Sequence, residues 1–95
     1  MARSATTTDA FNAIAEARRR RILDLVLDGE EHSVLEFVSC LSASQPSISK
    51  HLAVLRKVGL LLVRRRGSNR LYRINALKLK PVLDWVERYK RLWIQ

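Results

Sequence analysis

From residue 44 to residue 59 the chain reads Ser-Gln-Pro-Ser-Ile-Ser-Lys-His-Leu-Ala-Val-Leu-Arg-Lys-Val-Gly, and its polar groups are hydrogen-bonding or cationic, with no acid among them. Gln45 carries an amide, Ser47 and Ser49 carry hydroxyls, Lys50 an ammonium and His51 an imidazole. Such groups at the start of a helix suit base edges and phosphates in a major groove. Ile48, Leu52 and Leu55 recur at helical spacing and are expected to face a core. The opposite side carries Pro46, Ser47, Lys50, Val54 and Lys57, with Gln45 and His51 on the flanks. An amphipathic helix with a solvated polar face has the same pattern, so the surroundings must decide between the two.

Two further clusters bear on that choice. Arg64, Arg65, Arg66 and Arg70 crowd around Gly67-Ser68-Asn69, a turn signal between two apolar, β-prone runs. A charged sheet edge discourages aggregation and accounts for one or two of these arginines. Four around a single turn point to a polyanion. Arg18 to Arg21 open a second helix, where cations oppose the helix dipole. A nearby phosphate would reverse that effect; arginines spread round a solvated helix are the alternative.

The whole composition leans the same way. Eighteen Lys and Arg against nine Asp and Glu leave a net charge of +9, which favours a polyanionic partner such as nucleic acid. No apolar run reaches the roughly 18 residues that span a bilayer. There is no hydrophobic leader segment, so a cytoplasmic location is expected. The single cysteine, Cys40, fits a reducing compartment. Ser, His and Asp are present, but no spacing sets a nucleophile beside a base and an orienting group, so catalysis is not expected.

The elements that must position these groups follow from periodicity. A chain of 95 residues is expected to form one domain over residues 1–95, with residues 1–8 a frayed end. A first helix, residues 8–16, carries Phe11, Ile14 and Ala15 on one side, and a second runs over residues 18–28 until Gly29. A third, capped by Ser33 with Glu36 completing a capping box, leads through a tight turn at Leu41-Ser42-Ala43 into the Ser44 helix. Residues 33–58 thus read as a helix-turn-helix, and residues 60–75 as a basic hairpin, or wing. Residues 76–93 read as a last helix with Val82, Leu83, Val86, Tyr89, Leu92 and Trp93 in an apolar stripe and Trp85 at its edge. A core this small hardly covers two tryptophans. The stripe, with Phe11 and Ile14, is therefore expected to be a subunit interface, and packing within one chain is the alternative. The fold class expected is mainly α with a small β-hairpin: a winged helix-turn-helix of five helices and a two-stranded wing.

In this order of elements, and in Ser44-Gln45-Pro46-Ser47-Ile48-Ser49-Lys50-His51-Leu52 through Leu55, Gly59 and Leu60, the chain resembles the ArsR family of bacterial winged-helix repressors. Ala13-Ile14-Ala15 leading into Arg19-Arg20-Arg21-Ile22-Leu23 adds to the likeness, which covers nearly the whole chain. Glu16-Ala17-Arg18 departs from the Asp-Pro-Thr common in relatives and bears only on where the second helix starts. The resemblance implies a homodimer on a short palindrome in double-stranded DNA, blocking transcription. Gln45, Ser47, Ser49, Lys50 and His51 would enter the major groove, and the wing residues Arg64, Arg66, Asn69 and Arg70 would follow backbone or minor groove. Phe11, Ile14, Val82, Trp85, Val86, Tyr89 and Trp93 would join the subunits.

Many relatives hold a metal through Cys-Val-Cys before the recognition helix. Those cysteine positions fall here at Ser33 and Leu35, neither a ligand for a soft or borderline ion, and the last helix offers only Asp84 and Glu87. No metal and no cofactor are expected. Cys40 is expected to be a half-buried filler, with a thiol redox switch as the alternative. Nothing in the sequence marks an effector pocket. Two other classes remain for comparison: a protein-docking winged helix, and a basic amphipathic helix lying on a membrane surface.

Overall fold

The computed structural model describes residues 9–94, so the expectation for residues 1–8 lies outside the described residues. Five α-helices and a three-stranded antiparallel sheet follow in the order α1 (Ala10–Ala13), α2 (Ala17–Leu25), β1 (His32–Ser33), α3 (Val34–Leu41), α4 (Gln45–Lys57), β2 (Leu61–Arg66), β3 (Asn69–Ile74) and α5 (Lys80–Glu87). Short 3₁₀ turns at Ala76–Leu79 and Lys90–Leu92 flank α5. Among the described residues no helix is long and apolar enough to cross a membrane.

Three helices open on a capping side chain. Asp9 accepts the Asn12 N–H at 2.9 Å and caps α1. At α3 the Ser33 hydroxyl accepts the Glu36 N–H while the Glu36 carboxylate accepts the Ser33 N–H at 2.6 Å, a reciprocal box. Ser44 accepts the Ser47 N–H to open α4, with Pro46 in the first turn, where its missing N–H leaves no vacancy. Ser42, at φ +51°, turns the chain between α3 and α4.

The core is made where α2, α3, α4 and the sheet meet: Ile22, Val26, Phe37, Ile48, Leu52, Leu55, Leu60 and Leu61 are almost wholly buried. Phe37 meets Tyr72 edge to face at 6.2 Å, tying α3 to β3. Gly59, at φ +86°, reverses the chain from α4 into β2, and the Asn75 amide donates to its carbonyl at 3.1 Å. Helix α4 and the hairpin are thereby fastened at their shared corner.

Four expectations are corrected. The sheet has three strands in the order β1-β3-β2, not two, because His32 and Ser33 pair with Tyr72 and Leu71. A two-residue strand has no periodicity to detect, and its existence depends on a partner some forty positions away along the chain. Asn69 begins β3 opposite Arg66 and leaves Gly67-Ser68 as the turn, Gly67 taking φ +63°. Helix α1 is a single turn over Ala10–Ala13 in place of residues 8–16; it buries Ala10 and Ala13 and leaves Phe11 and Ala15 exposed. A single turn gives no repeat to read, and the side chains it buries, Ala10 and Ala13, are small. The last segment is broken rather than one helix over residues 76–93, Pro81 standing in the first turn of α5.

The arginines at the head of α2 have a structural use that neither reading of the sequence contained. Arg19 is only 8% exposed. Its Nε donates to the Ala13 carbonyl at 2.6 Å and its Nη2 to the Asn12 carbonyl at 3.2 Å, while Arg20 donates to the Ile14 carbonyl at 2.8 Å. These carbonyls are at the end of α1; the Asn12 carbonyl also accepts the Ala15 N–H at 3.2 Å, whereas the Ala13 and Ile14 carbonyls take their hydrogen bonds from Arg19 and Arg20. Arg19→Ala is expected to strand the buried Ala13 carbonyl and lower stability by roughly 1–3 kcal/mol. The check is a lower urea midpoint at unchanged m value. Arg19→Lys should recover little, because an ammonium lacks the fork that reaches both carbonyls.

Candidate nucleic-acid interface

Helix α4 buries Ile48, Leu52 and Leu55, which turns Gln45, Pro46, Ser49, Lys50, Ala53, Arg56 and Lys57 outward. An open cleft runs along each flank of that ridge. On the wing side, Gln45, Ser49, Ala53 and Arg56 share a cleft with Ser68, Asn69, Arg70 and Tyr72 and with the start of α3 at Ser33, Val34 and Leu35. None of these lining residues is acidic. On the other side, Pro46, Ser47, Lys50, His51 and Val54 face Glu16 and Arg19.

The two flanks divide the expected site residues. Gln45 and Ser49 look toward the wing, and Asn69 and Arg70 look back at them. Ser47 and His51 belong to the α2 side and are half-buried. Arg18 reaches Ser47 Oγ at 3.5 Å. His51 Nδ1 lies 3.5 Å from both Arg19 Nη1 and Glu16 Oε1. Burial holds the His51 imidazole below its ordinary range; Glu16 pulls the other way, and the Arg19, Arg18 and Lys50 cations add to the fall. A neutral imidazole follows at pH 7, able to accept from Arg19 and so to brace α4 against α2.

Strand alternation sorts the wing arginines. Residues directly opposite across β2 and β3 share a face of the sheet. Arg65 pairs with Arg70 and Val63 with Tyr72, so Arg65 and Arg70 extend the face that carries buried Tyr72 and Leu61. There they border a cleft with Arg56 of α4. Arg64 and Arg66, opposite Leu71 and Asn69, belong to the other face. Arg64 is engaged: its Nη2 donates to Glu31 Oε1 at 2.8 Å and its Nε to Oε2. Arg56 is the cation that sequence reading passed over, and Arg65, counted among the hairpin arginines, was not assigned to the DNA-facing set. The signal was present, since Gln45, Ser49 and Arg56 lie along one line of the helix and Arg65 is in alternation with Val63.

The apolar residues expected at a subunit interface form one exposed cluster, with exceptions. The Phe11 ring meets Trp85 edge-on at 6.0 Å, and Trp85 meets Tyr89 at 5.3 Å. Phe11, Trp85 and Tyr89 are nevertheless 42%, 48% and 42% exposed. Ile14 and Val82 are half-buried against the core, and Val86 is half-buried too. Trp93 is 61% exposed in the terminal turn beyond α5.

At the former cysteine positions, Ser33 is the α3 cap and Leu35 is exposed. Asp84 pairs with Lys80 and Glu87 with Lys90. Among the described residues no group of three or more His, Cys, Asp or Glu is placed to hold a metal. Cys40 is exposed rather than a half-buried filler, because α3 buries Phe37 and Leu41 and turns position 40 away from them.

A capped helix whose outer face adjoins an arginine-bearing hairpin defines a winged helix-turn-helix module. Comparison with known proteins narrows the class. A family model described as a helix-turn-helix domain matches residues 14–64. The arsenic resistance transcriptional regulator ArsR2 of Pseudomonas putida is 41% identical over 90 residues, covering 95% of this chain and 75% of the relative. The transcriptional repressor SdpR of Bacillus subtilis is 32% identical over 78 residues, 82% of this chain and 86% of the relative. The solved structure of HlyU from Vibrio cholerae is similar with a TM-score of 0.69 at 35% identity, covering 90% of this chain and 88% of that one. The chain belongs to the ArsR family of winged-helix transcriptional regulators. It is a DNA-binding regulator, from a class of proteins that are not enzymes.

Proposed function

We propose that the protein is a repressor that binds a palindromic operator as a homodimer, with no metal, cofactor or catalytic step in its action. The observation that carries this is the acid-free cleft between α4 and the wing, where Gln45, Ser49 and Arg56 face Asn69 and Arg70. In this reading Gln45 and Ser49, with Lys50 on the ridge, meet the major groove. Asn69 and Arg70, with Arg65 and Arg66, follow the adjacent backbone. Ser47 and His51 support the helix from behind while remaining within reach of the groove edge. The exposed Phe11, Trp85 and Tyr89 cluster supports pairing of two copies, which would set two α4 helices about 34–36 Å apart on one side of the duplex.

Titration of the protein with duplex DNA across salt concentrations tests the reading. Affinity should fall by about 10³–10⁵-fold between 50 and 200 mM salt if 6–10 phosphates are contacted. A protein-docking module would lose far less. Lys50→Ala should weaken binding to every sequence alike and flatten the salt slope by about 1. Gln45→Ala should instead erode discrimination among operator variants, by roughly 1–3 kcal/mol at one base pair. Equal losses on all variants would remove Gln45 from base reading.

A further inference from the structure

We infer that Glu31 is a positioning residue that restrains the wing: it holds Arg64 away from the duplex and so limits sequence-independent binding. The inference rests on the DNA-binding reading above.

Glu31 precedes β1, and its carboxylate takes two hydrogen bonds from one guanidinium, Arg64 Nη2 to Oε1 at 2.8 Å and Arg64 Nε to Oε2. This fork-on-carboxylate pairing is the strongest geometry available to an exposed arginine. The pair spans the sheet. Ser33, Leu71 and Arg64 lie side by side across β1, β3 and β2, so Arg64 reaches over β3 to a residue two positions before Ser33. Hydrogen bonding to Arg64 holds the Glu31 carboxyl below its usual range, and the charges of Arg64, Arg73 and Arg66 act in the same direction. Glu31 is thus the acid within a group of three arginines on the outer face of the wing.

Arg64 also has a second destination within reach. It borders the cleft that Arg56, Arg65 and Arg70 form beside α4. An unpaired arginine there has a side chain long enough to join a phosphate contact that its neighbours already make. With Glu31 in place, a phosphate must displace a bidentate carboxylate before Arg64 contributes. The cost falls on every sequence equally, so it lowers binding to bulk DNA without touching base-edge contacts, and it leaves discrimination to α4.

A competing explanation is that the pair only staples β1 to β2. The two differ in sign. If Glu31 restrains Arg64, Glu31→Gln releases one more cation to the duplex. On a random-sequence duplex the salt slope should then steepen by about 0.9, and affinity near 0.15 M salt should rise about fivefold. Adding Arg64→Gln to Glu31→Gln should abolish the gain. If the pair is a staple, Glu31→Gln loosens the wing, and affinity falls or stays level with an unsteepened slope.

The experiment is a salt titration of the wild-type chain, Glu31→Gln, and Glu31→Gln with Arg64→Gln, each on random-sequence duplex DNA, with thermal melts of all three. A steeper slope for Glu31→Gln that vanishes in the double variant supports the inference. An unchanged or shallower slope overturns it, as does a steeper slope that persists without Arg64. Wild-type protein with no salt-dependent affinity for any duplex would instead overturn the DNA-binding reading itself.

Discussion

Trp85→Glu is expected to convert the protein to a monomer in sedimentation and to lower its affinity for a palindromic site by about a hundredfold or more. Trp85 is the middle member of the Phe11–Trp85–Tyr89 ring cluster, in contact with both neighbours yet 48% exposed. Rings held this way in one chain still leave a broad apolar surface in water, and a second copy is the simplest cover for it. A carboxylate at its centre would be desolvated without a partner, a cost that an interface cannot absorb cheaply. The DNA effect follows from linkage. Two half-sites bound by one dimer benefit from the effective concentration of the second α4, commonly a gain of about 10²–10⁴-fold over one half-site. A monomer keeps its half-site contacts and loses that gain. A Trp85→Glu chain that still sediments as a dimer would place the cluster in the monomer's own packing.

The second large effect concerns the core under the site. Phe37 is fully buried between α3 and the sheet, edge to face with Tyr72 and 6.1 Å from the His32 ring. Phe37→Ala removes a whole ring where α2, α3, α4 and the sheet converge. Such substitutions cost about 3–5 kcal/mol, against a total of roughly 5–15 kcal/mol for a natural domain. Each kcal/mol moves the melting point of a domain this size by about 4–8 °C, so a fall of about 12–40 °C is expected in a thermal scan. Tyr72 lines the cleft opposite Gln45 and Ser49, so the wing loses its seat with the core. DNA binding should therefore vanish with folding on warming and return, weakened, on cooling. A melting point within a few degrees of wild type would mean that the site relaxes around the gap.

Much of this was legible in the residues. The capping signals at Ser33 and Ser44 and the helices they open are local chemistry, and each appears where its spacing implies; the hairpin turn does too, except that Asn69 joins β3. What escaped was decided over distance. β1 is two residues long and exists because β3 lies beside it. The burial of Arg19 depends on α1 ending directly above it. Choosing among the wing arginines needs the face of a twisted hairpin, and the pairing of Arg64 with Glu31 joins positions 33 residues apart. Four-residue α1 has too little length for its apolar side to be read from a repeat.

The central claim is that α4 and the wing touch one duplex at the same time. Backbone amide shifts of isotope-labelled protein, followed as a palindromic duplex is added at physiological salt, test it most directly. The account predicts that Gln45, Ser49 and Lys50 move together with Asn69 and Arg70 along a single binding curve, while the interior positions Ile22 and Val26 stay still. Shifts confined to α4, confined to the wing, or centred on Phe11 and Trp85 would contradict it.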